Sequence, residues 1–101
     1  MDFSSYTDSA QKFIQDARQL ALENNHQQLQ SEHLLKVFLR DSNGLPWRLI
    51  VKSGGKPIEI LDNIDRAFKG FPRVEGSTDK QLYLSPNIEE LFKIIEERIK
   101  H

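Results

Sequence analysis

The sequence predicts an all-α domain, and three observations carry that prediction. Apolar residues recur at steps of three and four in separate segments, hydroxyl residues or prolines stand where those segments begin, and Gly or Asn clusters stand where they end. The one run that could form a strand is Gln81 to Leu84.

Taken in order, the first helix begins at Thr7, a natural N-cap, with Asp8 in the first turn where a negative charge suits the helix dipole. Ala10, Phe13, Ile14, Ala17, Leu20 and Ala21 form its apolar face through Glu23. NNHQQLQ then reads as a connector. Ser31 is the expected cap of the second helix, with Leu34, Leu35, Phe38 and Leu39 as its buried stripe, until DSNG at Asp41 to Gly44 supplies a stop. Pro46 fits the first position of a short third helix, in which Trp47, Leu49, Ile50 and Val51 supply apolar bulk. Trp47 reads either as core packing or as a surface anchor. Gly54 and Gly55 give that helix a left-handed exit.

Pro57 opens a fourth helix whose Ile60, Leu61, Ile64, Ala67 and Phe68 keep the helical spacing until Gly70 and Pro72 end it. From Phe71 to Leu84 a connector follows. Ser85 and Pro86 restart a helix by cap and proline, placing Ile88, Leu91, Phe92, Ile95 and Ile99 on one face. Lys93, Arg98 and Lys100 on that helix read as a solvated face.

Composition narrows the function classes. A chain of 101 residues suffices for one core, and its 14 Lys and Arg against 15 Asp and Glu create no field that would draw it to nucleic acid or to an anionic membrane. No cysteine is present, which removes disulfides, thiolate nucleophiles and Cys-based zinc sites together. No apolar run approaches the ~20 residues that span a bilayer, and MDFSSYTDS lacks the order of a signal peptide. A cytoplasmic domain is expected.

Set against itself, the chain suggests a repeat. Placing Thr7 over Ser85 superposes one hydroxyl cap on another and brings Ala10, Phe13, Ile14, Ala17 and Ala21 onto Ile88, Leu91, Phe92, Ile95 and Ile99. On this reading a second copy starts at Ser85 and is cut short at His101. A helix lacking its partners must bury its stripe against the first unit or another chain, so self-association through the last helix is expected.

The cluster of His26, Glu32 and His33 invites a chemical reading, but its spacing argues for a structural one. Neither an HExxH pattern nor a cysteine partner accompanies the histidines, so no metal site is expected. Glu32 and His33 are adjacent on a helix and diverge, with no catalytic constellation around them. Glu32 then serves the helix dipole, while the His33 ring packs near the core and hydrogen-bonds to connector backbone.

Ser31, Glu32, His33, Leu34 and Leu35, following the NNH of Asn24 to His26, resemble the (S/T)EHLL signature of the Clp N-terminal repeat domain. YTDSAQKFIQDARQLALENNHQ is similar to that family's first helix. PRVEG at Pro72 to Gly76, with LSP at Leu84 to Pro86, resembles the inter-repeat connector of its ClpB-type disaggregase branch. The resemblance covers essentially the whole chain. It implies one complete four-helix unit over 1–70, a connector over 71–84 and the first helix of a second unit over 85–101.

In that family the domain precedes two AAA+ ATPase modules of a hexameric ring and engages unfolded or aggregated polypeptide before the ring threads it. The implied partners are such polypeptides, the rest of the ring and an Hsp70-type chaperone system. ATP and Mg²⁺ belong to the ATPase modules, and no cofactor is expected in this segment, which has no GxxxxGK(S/T) phosphate loop and no catalytic site. The resemblance assigns substrate contact to Thr7, which is also explained as a cap, and to Leu91, Phe92 and Ile95, which are equally explained as core. Further acidic groove residues of the family fall in the second repeat.

Two other readings stand beside this one. The first is an N-domain of the ClpA or ClpC type that docks adaptors or, through an acid at the position of Glu32, phosphoarginine; PRVEG favours the disaggregase branch. The second is a stand-alone helical assembly module that pairs through its last helix.

Overall fold

A computed structural model describes residues 6–73 and 82–99, with side chains through Glu97. Among these residues the order is α1 Asp8–Glu23, β1 Gln28–Leu29, α2 Ser31–Phe38, α3 Leu45–Lys52, α4 Pro57–Lys69, β2 Tyr83–Leu84 and α5 Pro86–Ile99. The all-α expectation holds, with one two-stranded sheet added. Val74 to Gly76 of PRVEG, Gln81, Lys100, His101 and the side chains of Arg98 and Ile99 lie outside the described residues.

α1 starts as expected: the Thr7 hydroxyl oxygen accepts from the Ala10 N–H at 3.1 Å. It ends in a Schellman turn, in which Asn25 N–H donates to the Leu22 carbonyl at 3.0 Å and His26 N–H to the Ala21 carbonyl at 2.9 Å. The turn needs a left-handed residue, and Asn25 supplies it with φ of 58°. His26 is thereby aimed back over the helix it has just left.

The segment expected to be only a connector forms β1. It pairs in parallel with β2, in the register Gln28 to Tyr83 and Leu29 to Leu84. Tyr83 N–H donates to the Gln27 carbonyl at 3.0 Å and Ser85 N–H to the Leu29 carbonyl at 3.1 Å. Gln-rich sequence carries no strand signal, and the pairing arises because Leu29 is drawn completely into the core. Only the Tyr83–Leu84 part of the expected Gln81–Leu84 strand is a described strand.

Ser31 is not the cap of α2. Gln30 holds that place and Ser31 is the first helical residue, its hydroxyl donating instead to Glu32 Oε1 at 3.2 Å. His33 at the third helical position reaches back to accept from the Gln30 N–H at 2.9 Å, the role that Glu or Gln plays in an ordinary capping box. The His33 N–H, which a cap oxygen would otherwise accept, reaches the Gln30 carbonyl at 3.1 Å.

α3 departs most from expectation. Its cap is Gly44, Pro46 is its second residue rather than its first, and no side chain on it is buried. Leu49 and Val51 are each 53% exposed, and half-buried Trp47 borders a shallow hollow with Arg48, Val51 and Lys52. The residues are apolar, but the helix lies on the rim. Gly54 leaves it with φ of 87°, while Gly55 is needed for space, since a Cβ there would lie 2.9 Å from Ile50 Cγ2. Pro57 opens α4, and Gly70 ends it with an ordinary φ of −93°.

α5 begins as expected, with Pro86 as its first residue and the Ser85 hydroxyl oxygen accepting from the Ile88 N–H at 3.3 Å. Two groups of buried side chains flank α1. Ile14, Ala17, Ala21, Leu29, Leu34, Ile88 and Phe92 join it to α2, β1 and α5, while Leu20, Ile64 and Phe68 join it to α4. Ala17 and Ala21, both fully buried, have no bulk to hold neighbouring backbone away. Leu29→Ala should therefore cost about 2–5 kcal/mol in urea unfolding, because its site is closed on every side. Ile58→Ser, at a position 59% exposed, should stay within about 0.5 kcal/mol of the parent in the same measurement.

Candidate functional site

Not all of the apolar stripes are buried, and the residues left over converge. An apolar groove of about 450 Å³ runs between α1, α2 and α5. α1 supplies Ala10, Phe13 and Ile14; α2 supplies Leu34 and Phe38; α5 supplies Leu91, Phe92 and Ile95; Tyr6 and Thr7 stand at the start of α1.

Helical spacing explains how these side chains meet. Phe13 and Phe38 each project from an apolar stripe at the α1–α2 contact, where their rings stack with centroids 4.0 Å apart. Phe38 is still 49% exposed and Leu91 43% exposed, so aromatic and aliphatic surface faces solvent along the groove. Ile14, Leu34 and Phe92 are buried and form its floor, and the Tyr6 ring meets Phe92 edge-on at 6.4 Å. The second-helix stripe thus splits: Leu34 and Leu39 are buried, while Leu35 and Phe38 are exposed.

Thr7, Leu91, Phe92 and Ile95, singled out in the sequence, all line this one groove. Thr7 is exposed on its rim while its hydroxyl oxygen is engaged in the α1 cap, so the cap and the groove share one residue. Tyr6, Ala10, Phe13, Ile14 and Phe38 also line it, and the sequence alone does not assign them to a site. Phe13 and Phe38 did belong to stripes visible in the sequence, but spacing alone does not separate a dry position from a wet one.

The EHLL residues lie differently. Of them Leu34 alone lines the groove, and Glu32 is half-buried beside Ser31. His33 is fully buried and hydrogen-bonds connector backbone, as expected, and it also meets His26, whose Nδ1 lies 2.7 Å from His33 Nε2. Two nitrogen ligands of a tetrahedral zinc lie about 3.3 Å apart, so the 2.7 Å contact is a hydrogen bond. Among the described residues no group of three metal-ligating side chains occurs.

Phe68 and Phe71 enclose both imidazoles, with ring centroids 4.9–5.6 Å away. Burial pushes the His33 pKa down to about 4, and the neighbouring His26 acts in the same direction. Burial also lowers His26, whose Nε2 faces the Phe68 backbone without a well-formed hydrogen bond; Arg73 adds to the lowering. Both rings are therefore neutral at pH 7.

The Thr7 cap separates structure from contact experimentally. Thr7→Ala should lower stability by about 1 kcal/mol in thermal or urea unfolding, whereas Thr7→Ser, which keeps the acceptor oxygen, should lose much less.

Residues 5–101 match the family model of the Clp repeat (R) N-terminal domain. The chain is similar to proteins named chaperone protein ClpB. It is 37% identical over 100 residues to that of Mesorhizobium japonicum, covering 99% of this chain and 11% of the relative. With the Rhodopseudomonas palustris protein it shares 40% identity over 96 residues, covering 95% and 11%, and with the Brucella suis protein 36% over 97 residues, covering 96% and 11%. The chain thus spans 11% of the length of these relatives.

Proposed function

This chain belongs to the Clp repeat N-terminal domain family, and on that footing we propose that its groove captures unfolded or aggregated polypeptide for a protein-disaggregating chaperone. The observation that carries the reading is the groove itself, an apolar trough left partly wet between α1, α2 and α5. A folded client hides its apolar side chains, whereas an extended or misfolded segment offers them, and the trough is a surface on which they can be buried.

Energetics favour reversible contact. Each apolar side chain removed from water contributes on the order of 1.5–3 kcal/mol before ordering costs, so a few contacts yield weak binding that can be handed on. Phe38 and Leu91 supply exposed contact area and Phe92 and Ile95 shape the wall. The matching caps of α1 and α5, Thr7 to Ala10 and Ser85 to Ile88, support reading α5 as the opening of a second helical unit. In the longer protein this domain would precede ATPase modules that hold ATP and Mg²⁺, assemble as a ring in the cytoplasm and work with an Hsp70-type system. Catalysis would belong to those modules, and this domain would supply recognition.

Fluorescence anisotropy with fluorescein-labelled, reduced and carboxymethylated α-lactalbumin tests the capture step. Phe38→Ser combined with Leu91→Ser should weaken binding about tenfold or more, since two half-exposed apolar contacts exceed the ~1.4 kcal/mol that a factor of ten requires. Urea unfolding should show a loss of about 1–3 kcal/mol, because Phe38 also stacks on Phe13 and both residues are half-buried, so binding is compared where both proteins are fully folded. Unaltered affinity in the double variant would remove the groove from substrate binding. A preference for the native, disulfide-intact form of the same protein would replace client capture with docking of a folded adaptor.

A further inference from the structure

Resting on the groove reading above, we propose that the His26–His33 pair is an acid-labile clasp that decides whether α5 stays seated as a wall of the groove. Hydrogen positions make the pair sensitive to a proton. Gln30 donates its backbone N–H to His33 Nδ1, so that nitrogen is an acceptor and the His33 proton sits on Nε2. His33 Nε2–H then donates to His26 Nδ1, which leaves the His26 proton on Nε2.

In this neutral arrangement both acceptor lone pairs are in use. An added proton has two places to go: His33 Nδ1, where it meets the Gln30 N–H, or His26 Nδ1, where it meets the His33 N–H. Either choice breaks a hydrogen bond and leaves two donors opposed in a buried place. Burial outweighs the one favourable neighbour of the new charge at His26, the Phe68 backbone facing Nε2. Phe68 and Phe71 cover the rings, Arg73 lies beside His26, and Lys36 on α2 stands over the Phe68 ring, itself paired with Asp65 on α4. Neither imidazole forms an ion pair among the described residues.

What the pair clasps is β1. Residues 27–29 lie between the two histidines and accept the Tyr83 and Ser85 N–H groups that lead the chain into α5. His26 also bridges to Arg73, and Gln27 N–H donates to the Pro72 carbonyl at 3.3 Å, so the chain leaving α4 is held at the same place. Once the histidines separate, β1 loses its anchors at both ends. The β1–β2 ladder that tethers α5 goes with it, and Leu91, Phe92 and Ile95 withdraw from the groove.

Amide hydrogen exchange followed by NMR at pH 7 and pH 5.5, corrected for intrinsic exchange, reads the clasp directly. With one histidine moving from a buried pKa of about 4 toward its ordinary 6.5 on opening, protection at Tyr83 and Ser85 should fall on the order of tenfold, while Ile14 and Ala17 in α1 change far less. Unchanged protection at Tyr83 and Ser85 would overturn the proposal, as would a loss shared equally by Ile14 and Ala17, which is global unfolding. The labelled, carboxymethylated α-lactalbumin probe, titrated at the same two pH values, should bind more weakly at pH 5.5. If the two amides lose protection while that probe binds equally well, the clasp stands and the assignment of the groove to client capture fails.

Discussion

Six residues after α1, from Asn25 to Gln30, carry the constraint on which the rest of this molecule depends. Their backbone reverses direction through a left-handed asparagine, accepts two hydrogen bonds from the segment entering α5, donates one to the segment leaving α4, and starts α2. Three stretches far apart in sequence, this turn, the exit of α4 and the entry to α5, are tied at one point. A strand of two residues is too short to stand alone, so its persistence needs support from the sides. Leu29 provides that support by complete burial, and His26 and His33 provide it by closing the loop with a side-chain hydrogen bond.

The histidines illustrate how a polar pair can sit in an aromatic surrounding with most of its hydrogen bonds made. Each ring nitrogen but one has a defined partner, and the remaining one, His26 Nε2, faces the Phe68 backbone. Neutral imidazoles have one donor and one acceptor each, which lets two of them form a directional chain that two identical donors or two identical acceptors could not. Burial that would be costly for charged groups is tolerable for these, and the same arrangement makes a proton the one ligand the site resists.

The groove depends on the opposite choice, apolar surface left in contact with water. α1 packs on α2 and α5 through small and branched side chains, Ala17, Ala21, Ile14 and Ile88, which close the contact at its centre. Toward the start of α1 the stacked pair Phe13–Phe38 and Leu91 of α5 border the groove rather than close it, and Phe38 and Leu91 stay partly exposed. Stability is carried at the closed end while exposed area collects at the open end. One set of amphipathic helices thereby serves both a core and a recognition surface.

Much of this was legible before any coordinates. Helical spacing places α1, α4 and α5, because alternation of apolar and polar residues at 3.6 per turn is a local property, and Thr7, Ser85, Pro57 and Pro86 mark their starts because a cap bonds within one turn. The EHLL and connector motifs resemble the family to which the chain belongs, and Thr7, Leu91, Phe92 and Ile95 all line the one groove. Three features were decided only by packing across the chain. β1 forms in a glutamine-rich stretch because β2 arrives beside it; α3 stays on the rim despite its leucines because no described element buries its side chains; and Gln30 stands as cap in place of Ser31, with its N–H bonded to a His33 ring that His26 holds in position. A periodic pattern states which side chains share a face, but whether that face is dry, wet or hydrogen-bonded depends on neighbours that the pattern does not contain.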